Sequence, residues 1–232
     1  MNKPPIASRQ NQLYKRLRDA IRDHASEIVL EGPKAVDDAI RSGWKPLLVA
    51  RRGETLTAEL FDSLASTRTP QDVLGLFQRP PSRDVFADSR SVVVALDAVQ
   101  DPGNVGTIIR LAAAFDCSGV ALLPGCADPY SPKAIRASAG AVLNVNVAET
   151  AAHELIESGW PLFFADATGD RIEPPPRHAV LIFGNEGAGV SPALRLAAKP
   201  IAIPMSSRVE SLNVAASAAI LLARSYALRA AI

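Results

Sequence analysis

A continuously apolar run, Val92–Leu96, stops at a polar turn and is followed by a helix pattern. Five apolar residues in a row, three of them β-branched, are typical of a strand buried on both faces of a parallel sheet. The turn contains Pro102 and Gly103, and apolar residues then recur at helical spacing from Asn104 onwards. This pattern predicts an α/β fold in which Asn104 is the N-cap of the helix and Arg110 lies within its first two turns.

Two later apolar strands also end in polar turns. Ala179–Phe183 is followed by the glycine-rich turn 184–189, and Pro200–Pro204 is followed by residues 205–213. A long apolar helix pattern then begins at Val214. Because ligands of open α/β folds bind where parallel strands end, we expect these turns to form one site. The glycines of 184–189 lack the spacing of a dinucleotide fingerprint, and the chain contains no P-loop pattern.

The N-terminal third of the chain has the pattern of a separate, smaller α/β domain. Residues 27–49 alternate between strand and helix patterns, with a proline at the start and a glycine at the end of the predicted helix. Residues 79–90 then turn polar and contain two consecutive prolines, which cannot continue a ladder of hydrogen bonds. We therefore predict two domains, residues 1–84 and residues 85–232.

Charge and composition limit the classes of protein. The formal net charge of the 232 residues is only +1, but residues 1–24 contain six basic and two acidic side chains. This segment is either the solvated face of a helix or an arm that contacts phosphates. Cys117 and Cys126 form neither a disulfide framework nor a metal-binding pattern, so we predict reduced thiols and no metal. No apolar run reaches the roughly 20 residues of a membrane span and no secretion signal is visible, which predicts a cytoplasmic protein without a membrane segment.

Three motifs, taken together, resemble those of a known enzyme family. They are D-P-G-N-V-G-T-I-I-R at 101–110, F-G-N-E-G-A-G at 183–189, and I-P-M followed by S-L-N within 203–213. Their order and spacing are similar to the signature motifs of the SpoU (TrmH-like) branch of the SPOUT RNA methyltransferases. The resemblance extends over about Ser91–Leu228.

The resemblance also implies a fold and an assembly. It implies an α/β SPOUT domain whose C-terminal part forms a deep trefoil knot, which is an exception to the rule against knots. Upstream, V-L-E-G-P-K-A-V at 29–36 and T-P-Q at 69–71 resemble the small L30e-like α/β domain that binds substrate in this family. Asp72 stands where that domain commonly has glycine. Members of the family are homodimers with the active site between protomers.

The implied cofactor is S-adenosylmethionine, which the family holds in a bent shape. The resemblance assigns cofactor contacts, largely through backbone groups, to Gly184, Ile203 and Leu212, with Asn185, Gly187 and Met205 as neighbours.

The implied reaction is attack by a ribose 2′-oxygen on the sulfonium methyl group. The resemblance implies that Arg110 is the main catalytic residue. Because a guanidinium stays protonated, we favour a role in which it binds phosphate and stabilises the developing oxyanion. Asn104 would orient Arg110 or the ribose, and Glu186 would pair with a cation or hold its loop. Ser211 and Asn213 would order the site from the third motif.

The substrate must be RNA, because DNA lacks the 2′-hydroxyl group. By analogy, the L30e-like domain favours ribosomal RNA over transfer RNA. Three alternatives remain open: a transfer RNA 2′-O-methyltransferase, a related enzyme that methylates a base, and an RNA-binding protein that has lost its activity but kept the fold.

Overall fold

The computed structural model of the protein describes residues 4–23, 26–65, 69–82, 84–87, 91–166 and 178–230. The chain divides into two compact units. The first comprises Met1–Pro81 with Tyr130–Ile135, and the second comprises Ser82–Pro129 with Arg136–Ile232. Parts of the basic segment 1–24 and of the predicted linker 79–90 lie outside the described residues.

The first unit is built around a three-stranded antiparallel sheet. Its elements are α1 (Gln12–Arg22), β1 (Glu27–Glu31), α2 (Pro33–Arg41), β2 (Pro46–Arg51), α3 (Ala58–Asp62) and β3 (Val73–Gln78). The strand order is β1-β3-β2. Successive residues of β3 point to opposite faces, and all of them except Gln78 are buried, so the sheet is covered on both sides. The strand and helix pattern predicted for residues 27–49 is confirmed.

The basic segment forms a helix over residues 12–22. The side chain of Asn11 caps α1 by accepting a hydrogen bond from the Leu13 backbone N–H at 2.8 Å. The buried residues of α1 follow helical spacing and are Tyr14, Leu17 and Ala20. The charged side chains therefore lie on the opposite side, where Arg16 donates to Glu27 at 2.5 Å. The helix interpretation is confirmed for these residues, and contact with phosphate stays a prediction.

The turn before β3 has a left-handed backbone conformation at Asp72, where φ is 53°. Glycine adopts this conformation without steric cost, and aspartate is among the few other residues that visit it routinely. The backbone at position 72 therefore has a conformation that suits glycine, the residue that the L30e-like domain commonly has there.

The second unit is built around a six-stranded sheet in which every strand pair is parallel. Its elements, in chain order, are β4 (Val92–Asp97), α4 (Pro102–Ala114), β5 (Gly119–Leu122), the last residues of α5 (Pro132–Ala137), whose first four residues belong to the first unit, β6 (Val147–Glu149), α6 (Ala152–Glu157), β7 (Leu162–Ala165), β8 (Ala179–Gly184), α7 (Pro192–Ala197), β9 (Lys199–Ile201) and α8 (Val214–Ala230). The strand order is β6-β5-β4-β8-β7-β9. Helices α4 and α8 pack against each other, as do α6 and α7. All residues of β4 are buried, which confirms the parallel α/β prediction.

This topology brings the predicted site loops to one edge of the sheet. Strands β4, β8, β7 and β9 are neighbours and run in the same direction, so they end at the same edge. The loops that follow β4, β8 and β9 carry the three motifs. This is the edge at which open α/β sheets bind ligands.

The predicted start of the α4 helix is wrong. Its N-cap is Asp101, whose carboxylate accepts a hydrogen bond from the Gly103 backbone N–H at 2.6 Å. Pro102 occupies the first helical position, where its fixed φ favours a helix and its missing N–H costs nothing. Asn104 is therefore inside the first turn, and its side chain is available for contacts with other loops.

Candidate active site

A cavity of about 420 Å3 opens between the loops at the carboxyl edge of the parallel sheet. It is lined by residues from the ends of β7, β8 and β9 and from the start of α8. Nine of the eleven predicted site residues line it, namely Gly184, Asn185, Glu186, Gly187, Ile203, Met205, Ser211, Leu212 and Asn213. Most of the site residues predicted from the sequence therefore lie on one continuous surface.

The loop after β8 depends on a close backbone approach at Gly184. A Cβ atom at this position would lie 2.2 Å from the carbonyl carbon of Gly189 and 2.3 Å from the nitrogen of Val190. No real Cβ contact is that short, so only glycine fits without movement of the loop. The loop is closed by a pair of backbone hydrogen bonds between Asn185 and Gly189, at 3.0 and 2.9 Å.

Asn185 uses its side chain to hold this loop. Its amide nitrogen donates to the carbonyl of Ala98 at 2.8 Å. Its amide oxygen accepts from the backbone N–H groups of Gly187 and Ala188, both at 2.9 Å. Asn185 lines the cavity and also ties the loop after β8 to the loop after β4.

Glu186 joins the same two loops by a second route. Its carboxylate accepts hydrogen bonds from the backbone N–H groups of Gln100 and Asp101, both at 3.2 Å. It also accepts from the amide nitrogen of Asn104 at 2.9 Å. Of the two roles predicted for Glu186, the structure supports that of holding its loop.

Asn104 connects Glu186 to the third motif. Its amide oxygen accepts a hydrogen bond from the amide nitrogen of Asn213 at 3.2 Å. Asn213 in turn accepts from the backbone N–H groups of Ala215 and Ala216, at 2.9 and 3.3 Å, and thereby caps α8. Hydrogen bonds thus join three side chains, one from each motif, and two of them, Glu186 and Asn213, line the cavity.

The hydrogen bonds of Glu186 change its acidity. Burial acts to raise the pKa of its carboxyl group, but hydrogen bonds from Asn104, Gln100 and Asp101 together hold that pKa below the ordinary value of 4.5. Because the pKa of Glu186 is lowered in the folded state, its carboxylate stabilises the fold at pH values above the ordinary pKa of 4.5. This contribution is lost as the pH falls through the lower pKa of the folded state.

We expect Glu186→Gln to lower the melting temperature at pH 7, because the glutamine NH2 group would face backbone N–H donors. The difference from the wild-type protein should shrink as the pH falls below 4.5, since the wild-type carboxylate then becomes protonated. Thermal melts across this pH range measure the effect, with Glu157→Gln at the exposed end of α6 as the control. A difference that does not change with pH would contradict the assignment.

Arg110 lies apart from the other predicted residues. It is exposed on α4 and does not line the cavity. Arg110 lies six positions after Asn104, which corresponds to about 9 Å along the helix axis and a rotation of about 240° around it. The hydrogen bonds of Asn104 run to Glu186 and Asn213 rather than to Arg110.

Two acidic residues at the same edge were missed as site residues. Asp97 ends β4, is buried, and accepts a hydrogen bond from the backbone N–H of Ser191 at 2.6 Å. Asp166 follows β7, lines the cavity, and forms a 2.8 Å ion pair with Arg195. Both follow directly on apolar runs, which is a signal that could have identified them.

The described residues contain no group of three side chains able to hold a metal ion. Within the same residues, every helix is too short or too polar to cross a membrane.

Known proteins resemble both the sequence and the fold. Residues 91–223 match the SpoU rRNA methylase family. An uncharacterised tRNA/rRNA methyltransferase of Synechocystis is 30% identical, over 94% of this chain and 91% of that protein. RlmP of Bacillus subtilis, a 23S rRNA (guanosine(2553)-2′-O)-methyltransferase, is 30% identical, over 86% of this chain and 88% of its own length.

A solved structure matches the chain over almost its whole length. The AdoMet-bound rRNA methyltransferase of Sinorhizobium meliloti superposes with a TM-score of 0.85 and 28% identity, covering 97% of each chain. The fold is therefore that of the SPOUT methyltransferases. The chain belongs to the SpoU rRNA methylase family.

Proposed function

We propose that this protein transfers a methyl group from S-adenosylmethionine to a ribose 2′-hydroxyl group of ribosomal RNA. The observation that carries the proposal is that the second and third motifs line one cavity, while the first motif is tied to two of the lining residues, Glu186 and Asn213, by the hydrogen bonds of Asn104. The B. subtilis relative RlmP is a 2′-O-methyltransferase of 23S rRNA, which supports the same reaction.

The cavity suits S-adenosylmethionine. Its volume of about 420 Å3 lies within the roughly 300–1,000 Å3 of small-molecule sites. Ile203, Met205 and Leu212 provide apolar surface for a flat base. The backbone of the loop after β8 is accessible, because Cβ atoms at Gly187 and Gly189 would meet little or nothing within 4 Å. When bound, the cofactor supplies an electrophilic methyl group on a sulfonium ion.

The residues of the chain assist a poor nucleophile. A ribose hydroxyl must lose its proton as its oxygen bonds to the methyl carbon and the sulfur–carbon bond breaks, which leaves S-adenosylhomocysteine. The guanidinium group of Arg110 stabilises the negative charge that develops on the ribose oxygen and holds a neighbouring phosphate, while the proton passes to that phosphate or to water. Glu186, Asn104 and Asn213 keep the loops fixed, so that little reorganisation is needed.

We assign RNA binding to the domain of residues 1–84 and methyl transfer to residues 85–232. The exposed basic side chains of α1, including Arg22, can contact phosphates without sequence preference. The proposed substrate also implies a cytoplasmic location.

We further propose that the protein acts as a homodimer through α8 and the adjoining surface of α4. The helix α8 is apolar on nearly all sides, which is unusual for a helix in contact with water. Ile220 is 37% exposed and Tyr226 is 40% exposed on this helix. Because Arg110 is exposed on α4 and lies outside the cavity of its own chain, a second protomer offers a means of completing the active site.

Mapping of 2′-O-methyl groups in total RNA from cells with and without the gene tests the function. We expect one or a few methyl groups to be missing from ribosomal RNA in the deletion strain, and to return with the wild-type gene. Loss from transfer RNA alone would favour the alternative substrate. An unchanged map in both RNA classes would contradict the proposal.

A further inference from the structure

Asp166 places a carboxylate in a largely apolar part of the cavity. It follows β7, and its backbone N–H donates to the carbonyl of Ile201 at 3.0 Å, which fixes the residue against β9. Its side chain is only 11% exposed, and Ala165, Ile201 and Ile203 line the cavity with it. Burial of a carboxylate costs free energy unless the group is paired and hydrogen-bonded, so Asp166 requires polar partners at this position.

Arg195 is one such partner. Its Nη1 lies 2.8 Å from Oδ2 of Asp166, and its guanidinium carbon lies 5.0 Å from the ring centroid of Phe164. The aromatic ring and the ion pair hold the guanidinium in place on α7. Arg195 thereby orients the carboxylate and balances its charge, so the pair carries no net charge.

We propose that Asp166 accepts hydrogen bonds from the ribose hydroxyl groups of bound S-adenosylmethionine, with Arg195 as its positioning residue. The inference rests on the proposed function, which supplies the cofactor. A neutral ion pair does not favour the ammonium or sulfonium group of the cofactor, since Arg195 repels positive charge. A ribose offers two adjacent neutral donors, and a carboxylate has about four lone-pair sites with which to accept them.

The proposal makes Asp166 a determinant of cofactor affinity rather than of the chemical step. Its contribution is expected only for ligands that contain the ribose hydroxyls. A residue that merely joined β7 to α7 would affect every ligand of the cavity equally. This difference separates a binding role from a structural one.

Binding of two ligands to two proteins tests the proposal by calorimetry. The ligands are S-adenosylhomocysteine and its 2′,3′-dideoxy counterpart, and the proteins are wild type and Asp166→Ala. We expect the substitution to weaken binding of S-adenosylhomocysteine by about ten- to one-hundred-fold, as for hydrogen bonds to a charged group. The dideoxy ligand should bind wild type and variant alike, which also establishes that the variant cavity is intact.

Two further variants sharpen the result. Arg195→Gln should weaken binding of S-adenosylhomocysteine more than that of the dideoxy ligand, because it leaves the carboxylate misplaced. Asp62→Asn breaks a similar ion pair, with Arg52 at 2.7 Å, in the first unit, and should change neither affinity.

Equal losses for both ligands in Asp166→Ala, or no loss for either, would overturn the role of Asp166. Wild-type protein that binds S-adenosylhomocysteine and its dideoxy counterpart with the same affinity would overturn it as well. Wild-type protein that binds neither ligand would instead contradict the proposed function.

Discussion

Arg110→Ala is expected to lower the rate of methyl transfer by about two to three orders of magnitude, the usual effect of removing one group that stabilises a developing oxyanion. The affinity for S-adenosylmethionine should be unchanged, because Arg110 does not line the cavity. The fold should also be retained, since the side chain is exposed on α4. Single-turnover transfer to RNA, together with calorimetric binding of the cofactor, measures both quantities.

Arg110→Lys separates charge from geometry. Lysine keeps the positive charge but cannot form the paired, planar hydrogen bonds of a guanidinium with phosphate. We expect this variant to recover part of the lost rate. Near-wild-type turnover in Arg110→Ala would exclude Arg110 from the reaction.

Gly184→Ala is expected to have the second largest effect, through the shape of the loop after β8. The new methyl group would lie 2.2 Å from the Gly189 backbone, and neither chain segment can move without breaking the hydrogen bonds between Asn185 and Gly189. Overpacking of this kind costs about 1–3 kcal/mol in the free energy of unfolding. Because this loop lines the cavity, affinity for S-adenosylhomocysteine should fall about tenfold or more.

Gly187→Ala is the matched control for the stability of this loop. A Cβ atom at Gly187 would have only one neighbour, the amide oxygen of Asn185 at 3.7 Å, which is an ordinary contact. We expect its free energy of unfolding to stay within about 0.5 kcal/mol of the wild-type value. Urea unfolding compares the two variants, and equal stabilities would contradict the close-approach argument for Gly184.

The parallel sheet was predictable because its central strands are buried on both faces. Val92–Leu96 and Ala179–Phe183 are continuously apolar for that reason, and the structure has them as the adjacent strands β4 and β8. By contrast, β6 is a three-residue edge strand and α7 has only six residues, so neither has a periodic pattern long enough to recognise.

Long-range contacts explain the error at Asn104. Local capping rules favour asparagine at a helix start, but they do not detect a partner 82 residues away, such as Glu186. Once Asp101 and Pro102 begin the helix, the Asn104 side chain is left to join the three motifs. The ion pair between Asp166 and Arg195 is another contact that no local pattern reveals.

Some consequences of the family resemblance extend beyond the single chain or its described residues. The trefoil knot, the homodimer and the RNA-binding role of residues 1–84 stay predictions. The knot depends on how the chain is threaded, the homodimer on a second protomer and the RNA-binding role on a nucleic acid. None of these produces a periodic pattern in the sequence.

We expect the methyl group to be transferred to a ribose oxygen rather than to a base. Purified protein, ribosomal RNA and S-adenosylmethionine labelled in the methyl group are incubated together, and the RNA is then hydrolysed with alkali. A 2′-O-methyl group blocks cleavage at its own nucleotide, so we expect the label to be recovered in alkali-resistant dinucleotides. Label recovered only in mononucleotides with methylated bases would contradict it.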